Sequence, residues 1–189
     1  HETGQFGPLA LHILGIHAIV ADLRIRHRDD LPAIARIGKN LLVPGHRRVE
    51  ADLAVDFAVG AVRALELETD WLRIERSASA MDQRLFEPPN VAGWPGGDVW
   101  LSSSTFFGRL NFLDTSLFPA GKAIAIPALE GAASPEALVD ETLKRLVDGD
   151  IPPDSRESLH AYARTVSEPR ERAASVAYLV LASPQFQLL

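Results

Sequence analysis

The chain has 189 residues, 47% of them hydrophobic and 23% charged, with a net charge of −6 and no cysteine. That length and apolar content suit one packed domain, or one large piece of a longer protein, and argue against global disorder. The acidic balance argues against a nucleic-acid surface, which needs a basic patch, and the lack of cysteine excludes disulfides, zinc–thiolate sites and iron–sulfur clusters.

Along the chain, the first residues carry neither an initiator methionine nor a leader, so the expectation is a processed product, a truncated chain or one part of a longer polypeptide. Pro8 opens a predicted helix over residues 8–26. Leu9, Ile13, Ile16, Val20 and Leu23 share one face, while Leu11, Leu14 and Ile19 make it apolar almost all round. Such girth asks for burial or a partner. It is too short and too interrupted, by His12, His17 and Asp22, to cross a bilayer, which takes about 20 apolar residues. The basic run Arg24, Arg26, Arg28 that follows reads as a solvated helix end or a subunit contact. Asp30 and Pro32 open a second helix burying Ile34, Ile37 and Leu41.

From Arg48, the positions Val49, Leu53, Phe57, Ala61 and Leu65 give the cleanest amphipathic helix of the chain. Asp70 starts another, to about Gln83. Residues 85–100 then surround Trp94 and Trp100 with prolines and glycines, a composition that predicts a long ordered loop rather than a linker. The serines at 102–104 read as caps of a short helix ending near Asp114. Residues 122–129 read as extended linker, with a short strand possible at 123–126. Ser134-Pro135-Glu136 is a strong helix start, and Gly149 fits its C-terminal stop. Asp154 is expected to cap the next helix. Pro169 opens a last one, which Ser183-Pro184 ends.

Three segments resemble a known family. They are residues 49–65, closing on Gly60-Ala61-Val62-Arg63-Ala64-Leu65; the motif Gln83-Arg84-Leu85-Phe86-Glu87-Pro88-Pro89-Asn90-Val91-Ala92-Gly93-Trp94-Pro95-Gly96-Gly97 with Trp100; and the ending Tyr178-Leu179-Val180-Leu181-Ala182-Ser183-Pro184-Gln185-Phe186-Gln187. Together they are similar to the C-terminal part of the bacterial family called domain of unknown function 1800, over about residues 30–189. The resemblance implies a longer protein with further helical sequence on the N-terminal side. It also implies export, to the periplasm or the outside, and a gene beside a sulfatase-like neighbour. The family has no established catalytic residues to carry over.

For ligand chemistry, the candidates are Asn90, Trp94, Asp98 and Trp100 in the loop and Arg109 and Asn111 in the helix after it. Tryptophan faces stack on sugar C–H surfaces while amides and carboxylates take hydroxyls. The competing reading has the tryptophans filling a groove between helices, Asn90 and Asp98 bonding backbone amides, and Arg109 clamping the loop through Glu87 or Asp98. That structural reading is preferred. His12 and His17 are five apart, not the four that places two ligands on one helical face, so no metal is expected, and no cofactor motif is present. The acids Glu66, Glu68, Asp70 and Glu75 read as surface charges. The expectation is therefore an all-α, multi-helix globular domain over residues 1–189 with one long Pro/Gly/Trp-rich loop. It acts as an exported interaction or assembly component, whose partner is another protein or the N-terminal part of the same polypeptide. The alternative is part of an exported hydrolase or carbohydrate-acting protein with a cleft at residues 86–111.

Overall fold

The computed structural model describes residues 53–95, Trp100 and 102–188. The two helices expected upstream of residue 48 and the Asp98 turn lie outside the described residues. Within them the chain forms seven α-helices and no strand, so the all-α expectation holds.

α1 (Ala54–Ala64) buries Ala54, Phe57, Ala58 and Ala61, the i, i+3, i+4, i+7 spacing of one face. It starts later than its apolar pattern suggests, because Leu53 is extended (φ −54°, ψ 151°) and has no capping side chain. The cap comes from far away instead: the buried Gln83 accepts the Val55 N–H at 2.8 Å through Oε1. Glu66 then turns left-handed (φ 55°), and the Leu67 N–H closes on the Val62 carbonyl at 2.9 Å.

α2 (Trp71–Ala80) is capped by Asp70, whose carboxylate accepts the Arg73 N–H at 2.7 Å. It stops short of Gln83 because Asp82 is left-handed (φ 66°). α3 (Ser103–Leu117) is capped by Ser102 and runs three residues beyond the expected Asp114. Its Gly108 sits against α2, where a Cβ would come within 2.7 Å of the buried Met81 Cγ, so only a glycine allows that approach.

The strand considered at 123–126 does not form. Ile124 donates to the Leu117 carbonyl at 3.0 Å and Ile126 is buried, so tertiary packing, not a sheet partner, organises the segment between two short 3-10 turns. α4 (Pro135–Val147) begins at the Ser134 cap and ends through left-handed Asp148 and Gly149, whose N–H bonds to Leu143 at 3.0 Å. α5 (Pro153–Thr165) corrects an expectation: Pro152 holds the cap position and Asp154 lies inside the first turn, where its charge complements the helix dipole. α6 (Pro169–Leu181) buries every residue from Val176 to Leu181, which marks it as the central helix. Ser183-Pro184 ends it as expected, but Pro184 also opens a further short helix, α7 (Pro184–Gln187).

α6 packs on α3, α4 and α5, while α1 meets α2, α3 and α4. One core joins them, with Phe57, Leu117, Val139, Leu143, Leu159 and Leu181 among its most buried members. Phe57 and Phe186 meet edge to face, with ring centroids 5.7 Å apart, so α1 and α7 close on each other. None of the helices among the described residues is long and apolar enough to cross a membrane.

Candidate functional site

Among the five candidate ligand residues that are described, the structure brings the two tryptophans together. Their rings meet edge to face at 5.9 Å and 62°. Trp100 is 4% exposed. Its Nε1–H donates to the Pro95 carbonyl at 2.6 Å, and its own carbonyl accepts the Thr105 hydroxyl at 2.9 Å. The ring is thus fastened to both the loop and the start of α3, and Trp94 packs half-buried against it. Asn90 is exposed and turns its Oδ1 back on the Ala92 N–H at 2.8 Å, a self-bonded turn completed by Gly93 at φ 92°. Asn111 is exposed on α3, and Asp98 lies outside the described residues.

Arg109 is interior, with no exposed surface at all. Its guanidinium carbon stands 4.8 Å from the centre of the Phe57 ring, and Nη1 donates to Gln187 Oε1 at 2.9 Å. Gln187 in turn donates through Nε2 to the Leu181 carbonyl at 2.7 Å. The expected clamp on Glu87 is not made. Glu87 is exposed and lies 3.8 Å from Arg84, whereas Arg109 sits on the buried side of α3 and reaches the C-terminal helix instead. The described contacts of Arg109 tie α3 to α1 and α7, and the alternative partner Asp98 lies outside the described residues.

Two of the acids read as surface charges have partners at the surface. Asp70 caps α2, and Glu66 pairs with Arg145 at 3.4 Å. Glu136 is held at about 2 by the hydrogen bond from Arg164 at 2.6 Å and by its own backbone N–H. Tyr178 moves the other way. Burial, reinforced by the charge of Asp114, pushes its phenol well above the ordinary tyrosine range. Among the described residues no group of three or more His, Asp or Glu side chains is placed to hold a metal ion.

What sequence reasoning missed is a second aromatic pair. Phe86 is 89% exposed and Trp71 57%, and their rings lie 6.4 Å apart at 48°. Leu72 and Val91 are exposed as well. Phe86 also holds a left-handed backbone (φ 69°), which costs a bulky residue roughly 1–3 kcal/mol. The loop therefore does not bury itself throughout: residues 86–92 stand in solvent, while among the described loop residues Leu85, Gly93 and Trp94 are half-buried and Trp100 is buried. Helical spacing groups Trp71 with Ile74 and Ala78, the inward face. As the first residue of α2, however, it has no preceding turn to pack on, and its ring swings to Phe86.

A family model described as a protein of unknown function (DUF1800) matches residues 54–188, from the first residue of α1 to the residue after α7. No curated protein and no solved structure matches the chain. With most of its length, and all seven described helices, inside the match, the chain belongs to the DUF1800 family.

Proposed function

We propose that this protein is a non-catalytic interaction or assembly component, exported as its family resemblance implies, and that its docking surface is the aromatic face of Trp71 and Phe86. The observation that carries this reading is the placement of Phe86. A strained backbone position presents a phenylalanine to solvent against a second exposed aromatic, with Leu72 beside it on α2. Exposed apolar clusters of this kind mark contact surfaces. Their chemistry suits an apolar helical segment, which needs area and no hydrogen bonds. The hydrolase or carbohydrate reading has less support. Sugar stacking needs an open ring face, yet Trp100 is buried, and Arg109 is committed to Phe57 and Gln187.

The test places the photo-cross-linker p-benzoyl-phenylalanine at position 86 or 72 of the full chain in producing cells, with position 157 on α5 as the control. The expected result is adducts from 86 and 72, mapped by mass spectrometry to an apolar segment, and none of that kind from 157. Equal labelling at all three positions would sink the proposal. So would turnover of glycosides or esters by the purified protein.

A further inference from the structure

The outward face of α3 carries no charge. The exposed residues of this 15-residue helix are Ser103, Ser104, Phe107, Asn111 and Thr115. Its two charged side chains are drawn inward: Arg109 is buried, and Asp114 is half-buried, where its charge acts on the Tyr178 phenol. α4, of similar length, exposes Asp140, Lys144 and Arg145 instead. Ser104, Phe107, Asn111 and Thr115 follow at i, i+3, i+7 and i+11, so they form one stripe, roughly 16 Å long at 1.5 Å per residue. The Thr115 hydroxyl donates to the Asn111 carbonyl at 2.9 Å, and Ser104 Oγ lies 2.9 Å from Ser102 Oγ. The Asn111 amide makes no hydrogen bond among the described residues. Charge enters from the neighbouring α2, where Arg73 donates to the Thr115 carbonyl, Glu75 is half-buried and Arg76 is exposed. Arginine is the charge that protein contacts favour, and at a rim it stays in water.

We propose that this stripe is a contact between two copies of the chain, related by a two-fold axis beside Asn111. Depletion of charge marks the core of a protein contact. A neutral face offers no sign for a charged partner to match. The chain itself carries −6, so two copies repel where acidic faces meet and approach best through the uncharged one. An amide is donor and acceptor at once, so Asn111 can exchange two hydrogen bonds with its own symmetry mate. About that axis Phe107 and Thr115, each four residues from Asn111, face each other, and the 38%-exposed ring covers the threonine methyl. The paired helices run antiparallel, which sets opposite dipole ends together. A stripe of roughly 16 Å on a helix about 10 Å wide falls short of the ~800 Å² per partner of a standard interface, so the dimer forms at high protein concentration. The contact uses no residue of the Trp71–Phe86 face and does not rest on it.

The chain has no cysteine, so a single introduced one reports proximity without background. Under mild oxidation, full-length Asn111→Cys should give a disulfide-linked dimer whose yield rises with protein concentration and exceeds that of Glu157→Cys on α5 several-fold. Phe107→Cys tests the axis itself. Its two copies would lie roughly 12 Å apart along the helices, beyond the ~7 Å that a disulfide can bridge, so it should stay unlinked. In the unsubstituted chain, sedimentation velocity should show a dimer growing with concentration. Asn111→Glu, which sets two like charges on the axis, should abolish that dimer while the helical circular dichroism is retained. Equal linking at 107, 111 and 157, a monomer at every concentration, or association that survives Asn111→Glu would each overturn the inference. The reading of the Trp71–Phe86 face would still stand or fall on its own cross-linking at 86 and 72.

Discussion

Arg109 shows what a single residue contributes here. A charge taken out of water is tolerated only where its hydrogen bonds are met, and Phe57 and Gln187 supply part of that environment. Its partner Gln187 is itself held by the Leu181 carbonyl, so the interaction is a chain of bonds rather than one contact. A double-mutant cycle with Arg109→Met and Gln187→Leu, read by urea unfolding, should give a coupling energy of about 0.5–3 kcal/mol. Costs that simply add, to within about 0.3 kcal/mol, would show that the two side chains do not cooperate. Sequence inspection singled out Arg109 and foresaw a clamp. It missed Gln187, because a glutamine four residues into a Ser-Pro motif carries no periodic signal of burial.

Helix starts and helix-to-helix ties act at the scale of elements. Asp70, Ser102 and Ser134 each bond a backbone N–H three residues on, so the starts of α2, α3 and α4 follow from their own sequence. α1 is different, since its first turn is satisfied by Gln83 from beyond the end of α2. α4 and α5 are joined at their surfaces by Glu136 with Arg164, and by Asp140 with Arg156 at 2.6 Å. For Glu136 the sign is that of a depressed carboxylate. Its pairing stabilises the fold above the ordinary value of 4.5, and the contribution fades as pH falls toward about 2. An NMR titration of the Glu136 carboxyl should therefore show a midpoint near 2, returning toward 4.5 in Arg164→Ala. A midpoint that the substitution leaves in place would refute the assignment to Arg164.

The described part of the molecule is closed by its first and last helices. Phe186, near the C-terminus, stacks edge to face on Phe57 of α1, and Phe57 meets Phe112 of α3 at 6.3 Å. Because α1 and α7 share one core with α3 and α6, the described helices should unfold together. Phe186→Ala is expected to lower the unfolding free energy by about 3–5 kcal/mol while keeping a single transition. Two separate transitions, with α1 lost first, would show that α1 and α7 are only loosely attached. The exposed rings of Trp71 and Phe86 are the exception to this closure.

The all-α class, the caps of α2 to α4, the terminating glycine at 149 and the family motif were legible without coordinates. Each rests on bonds or spacings within a few residues, which the local chain dictates by itself. The fate of the Trp-rich loop was not legible. One tryptophan is buried and the other half-buried, while the phenylalanine a few residues earlier stands in water, and composition treats all three alike. Which ring is covered depends on contacts made over long stretches of chain, such as Gln83 with Val55 and Arg109 with Gln187, 28 and 78 residues apart. Local sequence determined where helices begin and which faces are apolar. The tertiary structure alone decided which polar groups are spent inside, and which apolar ones stay exposed.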